Sequence, residues 1–327
     1  MRWAILGASN IAATRVIPAL RECGQTAAVV LSGDAARAED YRRTHDIEAA
    51  TGDLREAVGG DVQAAYISST NDKHFDHAMA AIDAGLHVLC EKPLSFDVTQ
   101  AQKMVDAAAA AGVVFATNHH LRNHPVHRAA RKMLAEGAIG DILSVRVSNA
   151  ILLRQALRGW RLDGVGGGVV LDLAVHDLDT LRFVTGMEPT KVTAVGVCQR
   201  LSEGPADAVM TSGVLGSSTL FSLHDAYTVP GAVTGFEIHG TTGTLVAGDC
   251  MRPDPTGTLR IVADGQDTTV PLEPVDNLYA PGIRAFVDAV NGDGDGEPVA
   301  TGHDGLRSVT AALAVLQSID EGRTVRL

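Results

Sequence analysis

The sequence has no apolar run approaching the roughly 18 residues that a membrane span requires. It also has no cluster of lysine and arginine. Its 27 basic side chains stand against 39 acidic ones, for a formal net charge of -12 at pH 7. An acidic chain without a basic patch argues against nucleic acid and against an anionic membrane surface as partners. Only four cysteines occur, Cys23, Cys90, Cys198 and Cys250, with no C-x-x-C and no regular spacing. That excludes a disulfide framework and a zinc ribbon and suits a reducing, cytoplasmic setting. A signal-peptide pattern is missing as well, because Met1-Arg2-Trp3 leads only into Ala4–Ala8 before the polar Ser9-Asn10.

Apolar residues make up 46% of the 327 and charged residues 20%, a globular balance. At roughly 100–200 residues per domain the length suggests two domains. Residues 1–120 alternate short apolar runs (Arg2–Leu6, Ala27–Leu31, Ala64–Ser68, Val88–Cys90, Val113–Ala116) with helical periodicity (Ile11–Arg21, Ala35–Thr44, His74–Ala84, Val98–Ala111). Continuous apolar strands between helices predict a doubly wound α/β domain with a parallel sheet covered on both faces. Gly85 and Gly112 stand where left-handed helix caps are wanted. Residues 121–327 read differently. Helical patterns at Val126–Glu136, Val169–Thr185, Pro281–Val290 and Gly305–Ile319 surround a strand at Asp141–Leu153, a glycine-rich turn at Gly164–Gly168 and alternation from Lys191 to Leu272. Thr324–Leu327 closes the chain as a short strand. This predicts an α+β domain with a large, mostly antiparallel sheet.

Several constellations carry chemistry. The dinucleotide fingerprint G-x-G-x-x-G/A falls on Gly7, Ser9 and Ala12, after a strand and at a helix start. Serine replaces the second glycine and brings a hydroxyl beside free N–H groups. At the end of the second strand, Ser32 stands where an NAD enzyme places an acid for the ribose hydroxyls. Ser32, Gly33 and Arg37 suit a 2′-phosphate, which favours NADP(H). NAD(H) stays open, because Asp34 either caps the next helix or turns to a ribose, and Arg37 also reads as a solvated helix residue. The polar turn Ser69-Thr70-Asn71, before His74, lies at the ligand edge of such a sheet, and helix capping accounts for it equally well. Lys92, between Glu91 and Pro93 at a strand end, is positioned by the proline, with a Glu91–Lys92 surface pair as the alternative. Asp172 and His176, four apart on a helix, form a carboxylate–imidazole pair suited to acid–base work, or an ordinary helix pair.

Glu91-Lys92-Pro93 after Ala84-Gly85-Leu86-His87-Val88, followed by Gly166-Gly167-Gly168-Val169-Val170-Leu171-Asp172-Leu173-Ala174-Val175-His176, resembles the paired signature of the Gfo/Idh/MocA oxidoreductases. The resemblance runs along nearly the whole chain. It implies a Rossmann domain at 1–120 and an α+β substrate and oligomerisation domain at 121–327. It implies Lys92, Asp172 and His176 as catalytic residues. Gly7, Ala8, Ser9, Asn10 and Ile11 would line the pyrophosphate, and Ser32, Gly33 and Arg37 the adenosine phosphate. Ser69, Thr70, Asn71, His74, Glu91 and Lys92 would line the trough, and Asn118, Trp160, Arg161 and Tyr279 would complete the contacts. A sugar-like carbonyl substrate is implied too, and an open C-terminal sheet that faces the active site or pairs with a second copy, single-subunit members also occurring.

Two readings from other classes stand beside it. A metal-dependent lyase or hydrolase would draw on His119, His120, His124, His127 and His176 among the 12 histidines, but no H-E-x-x-H occurs and Pro125 breaks a helix shared by His120 and His124. A non-catalytic NADP-binding sensor would keep the glycine turn and lose the Lys92, Asp172, His176 trio, which this chain retains.

Overall fold

Runs of small and β-branched residues tolerate burial on both faces, and here they become the centre of a parallel sheet. The computed structural model describes residues 1–163, 166–293 and 299–327. The chain forms two compact units, one of residues 1–120 with 279–309 and the other of 121–278 with 310–327. In the first, β1 (Arg2–Leu6), β2 (Thr26–Leu31), β3 (Ala49–Thr51), β4 (Ala64–Ile67), β5 (His87–Cys90) and β6 (Phe115–Thr117) are ordered β3-β2-β1-β4-β5-β6. Every neighbouring pair runs parallel. The connections carry α1 (Ile17–Glu22), α2 (Ala35–Thr44), α3 (Leu54–Ala57), α4 (His74–Asp83) and α5 (Val98–Ala111). Strand order reverses between β1 and β4, so the crevice beyond their carboxyl ends is where a ligand fits. Gly85 (φ 76) and Gly112 (φ 66) take the left-handed conformation expected of them.

Two details depart from the sequence expectation. Strand β3 is a three-residue edge strand without an apolar run to announce it. The helix after the glycine turn opens as a π-helix, Ala12–Val16, before α1. Pro18 sits in the first turn of α1 and has no N–H for an i−4 carbonyl, a local reason for the wider winding.

The second unit opens with α6 (Pro125–Ala135), β7 (Ile142–Ala150), α7 (Gly159–Leu162) and α8 (Val175–Thr185). The strands β8 (Pro189–Val197), β9 (Ala208–Leu215), β10 (Thr219–Ala226), β11 (Gly235–Gly240), β12 (Gly243–Gly248), β13 (Thr258–Ala263), β14 (Gln266–Thr269) and β15 (Val325–Arg326) complete a nine-stranded sheet. Its order is β14-β13-β12-β11-β7-β10-β9-β8-β15, antiparallel except for the central β7/β10 pair. Alternation gives the sheet two unlike faces. Val145, Val147 and Asn149 of β7 and Phe221, Leu223 and Asp225 of β10 point inward, and α8 packs against β7. Val195 (67% exposed), Met210 (57%) and Leu220 (60%) stand on the open side. The expected helix at Val169–Thr185 is a π-helix over Val170–Ala174 that continues into α8. Of the expected glycine turn, Gly164 and Val165 lie outside the described residues.

The chain then supplies α9 (Ala280–Asn291) and α10 (Gly302–Glu321). Ile283 and Phe286 form the buried stripe of α9, and the Phe286 ring lies 5.1 Å from Trp3 on β1. Burying aromatic side chains of this size contributes roughly 1.5–3 kcal/mol each. A sequence division into 1–120 and 121–327 has no counterpart to this return of 279–309 to the first unit. No described helix is long and apolar enough to cross a membrane.

Candidate active site

Gly7 ends β1 with φ +124, and a Cβ there would lie 2.5 Å from the Ser69 amide nitrogen. Glycine is thus required both by backbone conformation and by the approach of the β4–α4 loop. Ser9 is built into the turn: its Oγ accepts the Ala12 N–H (3.1 Å) and pairs with Ser68 Oγ (2.8 Å), which itself donates to the Gly7 carbonyl (3.2 Å). From α2, Arg37 Nη2 donates to the Ala8 carbonyl (2.5 Å) and Tyr41 to the Ser9 carbonyl (2.8 Å). The Arg37 guanidinium therefore lies against the turn. Asp34 caps α2, its Oδ1 accepting the Arg37 N–H (2.9 Å), while Ser32 Oγ accepts the Asp34 N–H (3.4 Å). Asn10 and Gly33 are exposed and Ile11 partly so.

The loop after β4 holds two polar atoms that the fold leaves unsatisfied. Ser69 Oγ and Asn71 Nδ2 are buried without a hydrogen-bond partner among the described residues, a costly condition unless a ligand supplies one. Thr70 sits at a cap position yet makes no capping bond, so simple capping does not account for it. Buried His74 has Nδ1 2.8 Å from the Pro93 carbonyl and Nε2 3.2 Å from the Ser69 carbonyl, tying this loop to the turn after β5. Burial lowers its pKa.

That turn carries Glu91, Lys92 and Pro93, with the Lys92–Pro93 peptide cis. Glu91 Oε1 accepts from Tyr66 (2.7 Å) and from Asn118 Nδ2 (2.6 Å). Burial pushes the Glu91 carboxyl upward, and these two donors, with Lys92, pull against it. Asn118, expected as a cofactor contact, thus commits its amide to Glu91. Tyr66 was absent from the sequence expectation, although a phenol in a fully buried strand calls for a polar partner. Tyr279, at the start of α9, is buried with its ring stacked 5.0 Å from that of His120.

In the second unit, Asp172 occupies the π-helix and His176 the first turn of α8. Asp172 Oδ2 accepts from Arg161 Nε (2.8 Å) and from Tyr227 (2.9 Å). Sequence reasoning assigned Arg161 to the cofactor and missed Tyr227. The arginine is an ion-pair partner of Asp172 and lies 4.5 Å over the exposed Trp160 ring. A Cβ on Gly167 would meet the Asp163 and Trp160 carbonyl oxygens at 2.8 Å, so the turn before Asp172 needs its glycines. Of the histidines, His124 caps α6, accepting the Val126 N–H (3.2 Å) beside the Thr256 carbonyl (3.0 Å). His127 Nδ1 meets the Leu121 carbonyl (2.8 Å). No group of three or more His, Cys, Asp or Glu arranged for a metal occurs among the described residues.

The Gly7 cradle and the orphaned Ser69 and Asn71 atoms fit a dinucleotide with phosphate and amide groups. Comparison with known proteins agrees. Residues 1–119 match the Gfo/Idh/MocA oxidoreductase family, with an NAD-binding Rossmann fold, and 127–246 match the Gfo/Idh/MocA C-terminal domain. A 1,5-anhydro-D-fructose reductase of Ensifer adhaerens is 42% identical over 330 residues, covering 100% of this chain and 98% of its own. A D-xylose 1-dehydrogenase (NADP(+)) 2 of Haloferax volcanii is 30% identical, with 100% of each chain covered. An aldose-aldose oxidoreductase structure from Caulobacter crescentus superimposes with a TM-score of 0.89 at 23% identity, covering 100% of this chain and 99% of that one.

Proposed function

The chain belongs to the Gfo/Idh/MocA oxidoreductase family, and on that footing we propose that it reduces a sugar-like carbonyl with NADPH, converting 1,5-anhydro-D-fructose to 1,5-anhydro-D-mannitol. The full-length likeness to the Ensifer adhaerens reductase carries this reading. The preference for NADPH rests on the end of β2. Asp34 is engaged at the start of α2, Ser32 leaves no carboxylate to repel a 2′-phosphate, and the Arg37 cation is at hand. Gly7 to Ile11 would hold the pyrophosphate, and Ser69, Thr70, Asn71, His74, Glu91, Asn118, Trp160, Arg161 and Tyr279 the remainder of the cofactor.

Bound, the nicotinamide supplies a hydride to the carbonyl carbon. The protein's part is to answer the charge that appears on oxygen. The Lys92 ammonium stabilises the developing oxyanion and the His176 imidazole gives it the proton, so that an alcohol leaves. Asp172, itself held by Arg161 and Tyr227, would hold the His176 imidazole and stabilise its charge. All four cysteines are free thiols, in keeping with a cytoplasmic protein.

The test is NADPH oxidation by purified protein with 1,5-anhydro-D-fructose, with Lys92→Ala run alongside. Turnover in the wild type and a loss of roughly a hundredfold or more in kcat in the variant, against a far smaller change in NADPH affinity, is the expected outcome, on the order of one oxyanion-stabilising group. No turnover with this ketose would sink the named substrate and leave a sugar or polyol dehydrogenase of other specificity.

A further inference from the structure

Asp177 follows His176 on α8, and Asp225 stands at the end of β10; both are 0% exposed. Asn149, the β7 neighbour of Asp225 in the parallel register, donates its Nδ2 to Asp177 Oδ1 at 2.9 Å. No N–H or O–H of another described residue reaches Asp177 Oδ2 or either oxygen of Asp225, and the two carboxyls lie in hydrogen-bonding range of one another. Two bare carboxylates buried in that position would repel, and a hydrogen carried by the pair itself satisfies the facing oxygens. Two residues further along the chain, Tyr227 bonds Asp172. The end of β10 thus holds the helical segment twice, at Asp172 and at Asp177, on either side of His176.

We propose that Asp177 and Asp225 share a proton and that this carboxyl–carboxylate bond positions the α8 turn bearing His176. The assignment of His176 as proton donor rests on the functional reading above; the shared proton does not.

The surroundings favour retention of that proton. Burial raises both carboxyls above the ordinary carboxylate range, and the charge of Asp177 adds to the rise of Asp225. The titratable groups that sense the pair are the Cys250 thiol after β12 and the Tyr227 phenol, both raised chiefly by burial, and no arginine or lysine among the described residues offsets the charge. A group whose pKa is raised on folding stabilises at low pH and loses that contribution as pH rises. The pair's contribution is therefore lost as pH rises above the ordinary carboxylate range, and the shared bond itself goes only as pH passes the higher of the pair's two raised pKa values.

Three variants test the pair. Asp225→Asn supplies a permanent N–H to Asp177, whereas Asp225→Ala and Asp225→Leu supply none. The infrared difference between wild type and Asp225→Asn at neutral pH should show a protonated carboxyl band that the variant lacks. The wild-type Tm should fall from neutral to alkaline pH, and that of Asp225→Asn should stay nearly flat. The His176 ring resonances should move in Asp225→Ala and return in Asp225→Asn, with kcat falling about ten- to a hundredfold in the former at unchanged KM for NADPH. Absence of the carboxyl band, or parallel Tm profiles in wild type and Asp225→Asn, overturns the proposal even if the alanine and leucine variants fail to fold. With band, Tm and ring shifts as expected, an inert protein on every carbonyl substrate would overturn the functional reading instead.

Discussion

Arg37 shows how one side chain serves two purposes. Its guanidinium braces the Ala8 carbonyl, and the same cation borders the end of β2, where no acid is free to claim a ribose. Arg37→Ala should therefore weaken NADPH binding about ten- to a hundredfold, the range of a lost hydrogen bond to a charged group, and leave NADH almost unaffected. Fluorescence titration with each nucleotide measures this, and equal losses for both would show that the arginine only braces the turn. The position of Arg37 was legible in the sequence because helix α2 follows β2 directly. Its bond to Ala8 was not, since a residue's number does not reveal which way a long flexible side chain folds. The same limit concealed Tyr66, which reads as one more strand residue until Glu91 is placed beside it.

Elements divide by how much pattern they contain. Strands β1, β2, β4, β5 and β6 were legible as apolar runs, whereas the three residues of β3 are too few to carry a period. The π-helical turns at Ala12–Val16 and Val170–Ala174 escaped because five residues do not distinguish one helical period from another. The segment between β8 and β9 depends on a feature equally hidden. Buried Asp207 accepts N–H bonds from Gln199 (2.6 Å), Arg200 (3.0 Å), Leu201 (2.7 Å) and Ser202 (3.2 Å), and Pro205 meets the Gly168 turn. Burial raises the Asp207 pKa, but the four donors outweigh it and hold the carboxyl below its usual value. A lowered folded pKa contributes stability above the unfolded pKa and loses it as pH falls through the folded one. Asp207→Ala should cost about 1–3 kcal/mol at pH 7. The Tm gap to wild type should narrow below about pH 4, where the unfolded carboxyl begins to protonate. A gap that stays constant from pH 7 to strongly acidic conditions would remove the carboxylate from this account.

At the scale of the molecule, the open face of the nine-stranded sheet carries several exposed apolar side chains. Val195 and Met210 are cross-strand neighbours there, and Leu220 is on the next strand. If a second copy of the chain covers this face, as the family resemblance allows, these exposed apolar side chains would be buried among the polar ones around them. Met210→Asp combined with Val195→Asp should convert a pair to single chains in sedimentation equilibrium, with the far-ultraviolet spectrum unchanged. A wild type that sediments as one chain at all concentrations would rule out such a pair. The two-part architecture was legible from the change of pattern after residue 120. The return of 279–309 was not, because the apolar stripe of α9 declares that one face is buried and leaves its partner unstated.

That return sets an order of manufacture. A ribosome releases Trp3 well ahead of the Phe286 ring that packs against it, which emerges only after the whole of the second unit's main segment has been made. The dinucleotide-binding unit, begun before the second unit, cannot be complete until residue 309 has left the exit tunnel. Its nascent form must wait with an unfinished core, and whatever guards a newborn chain from premature association has its longest watch over the part that was started first.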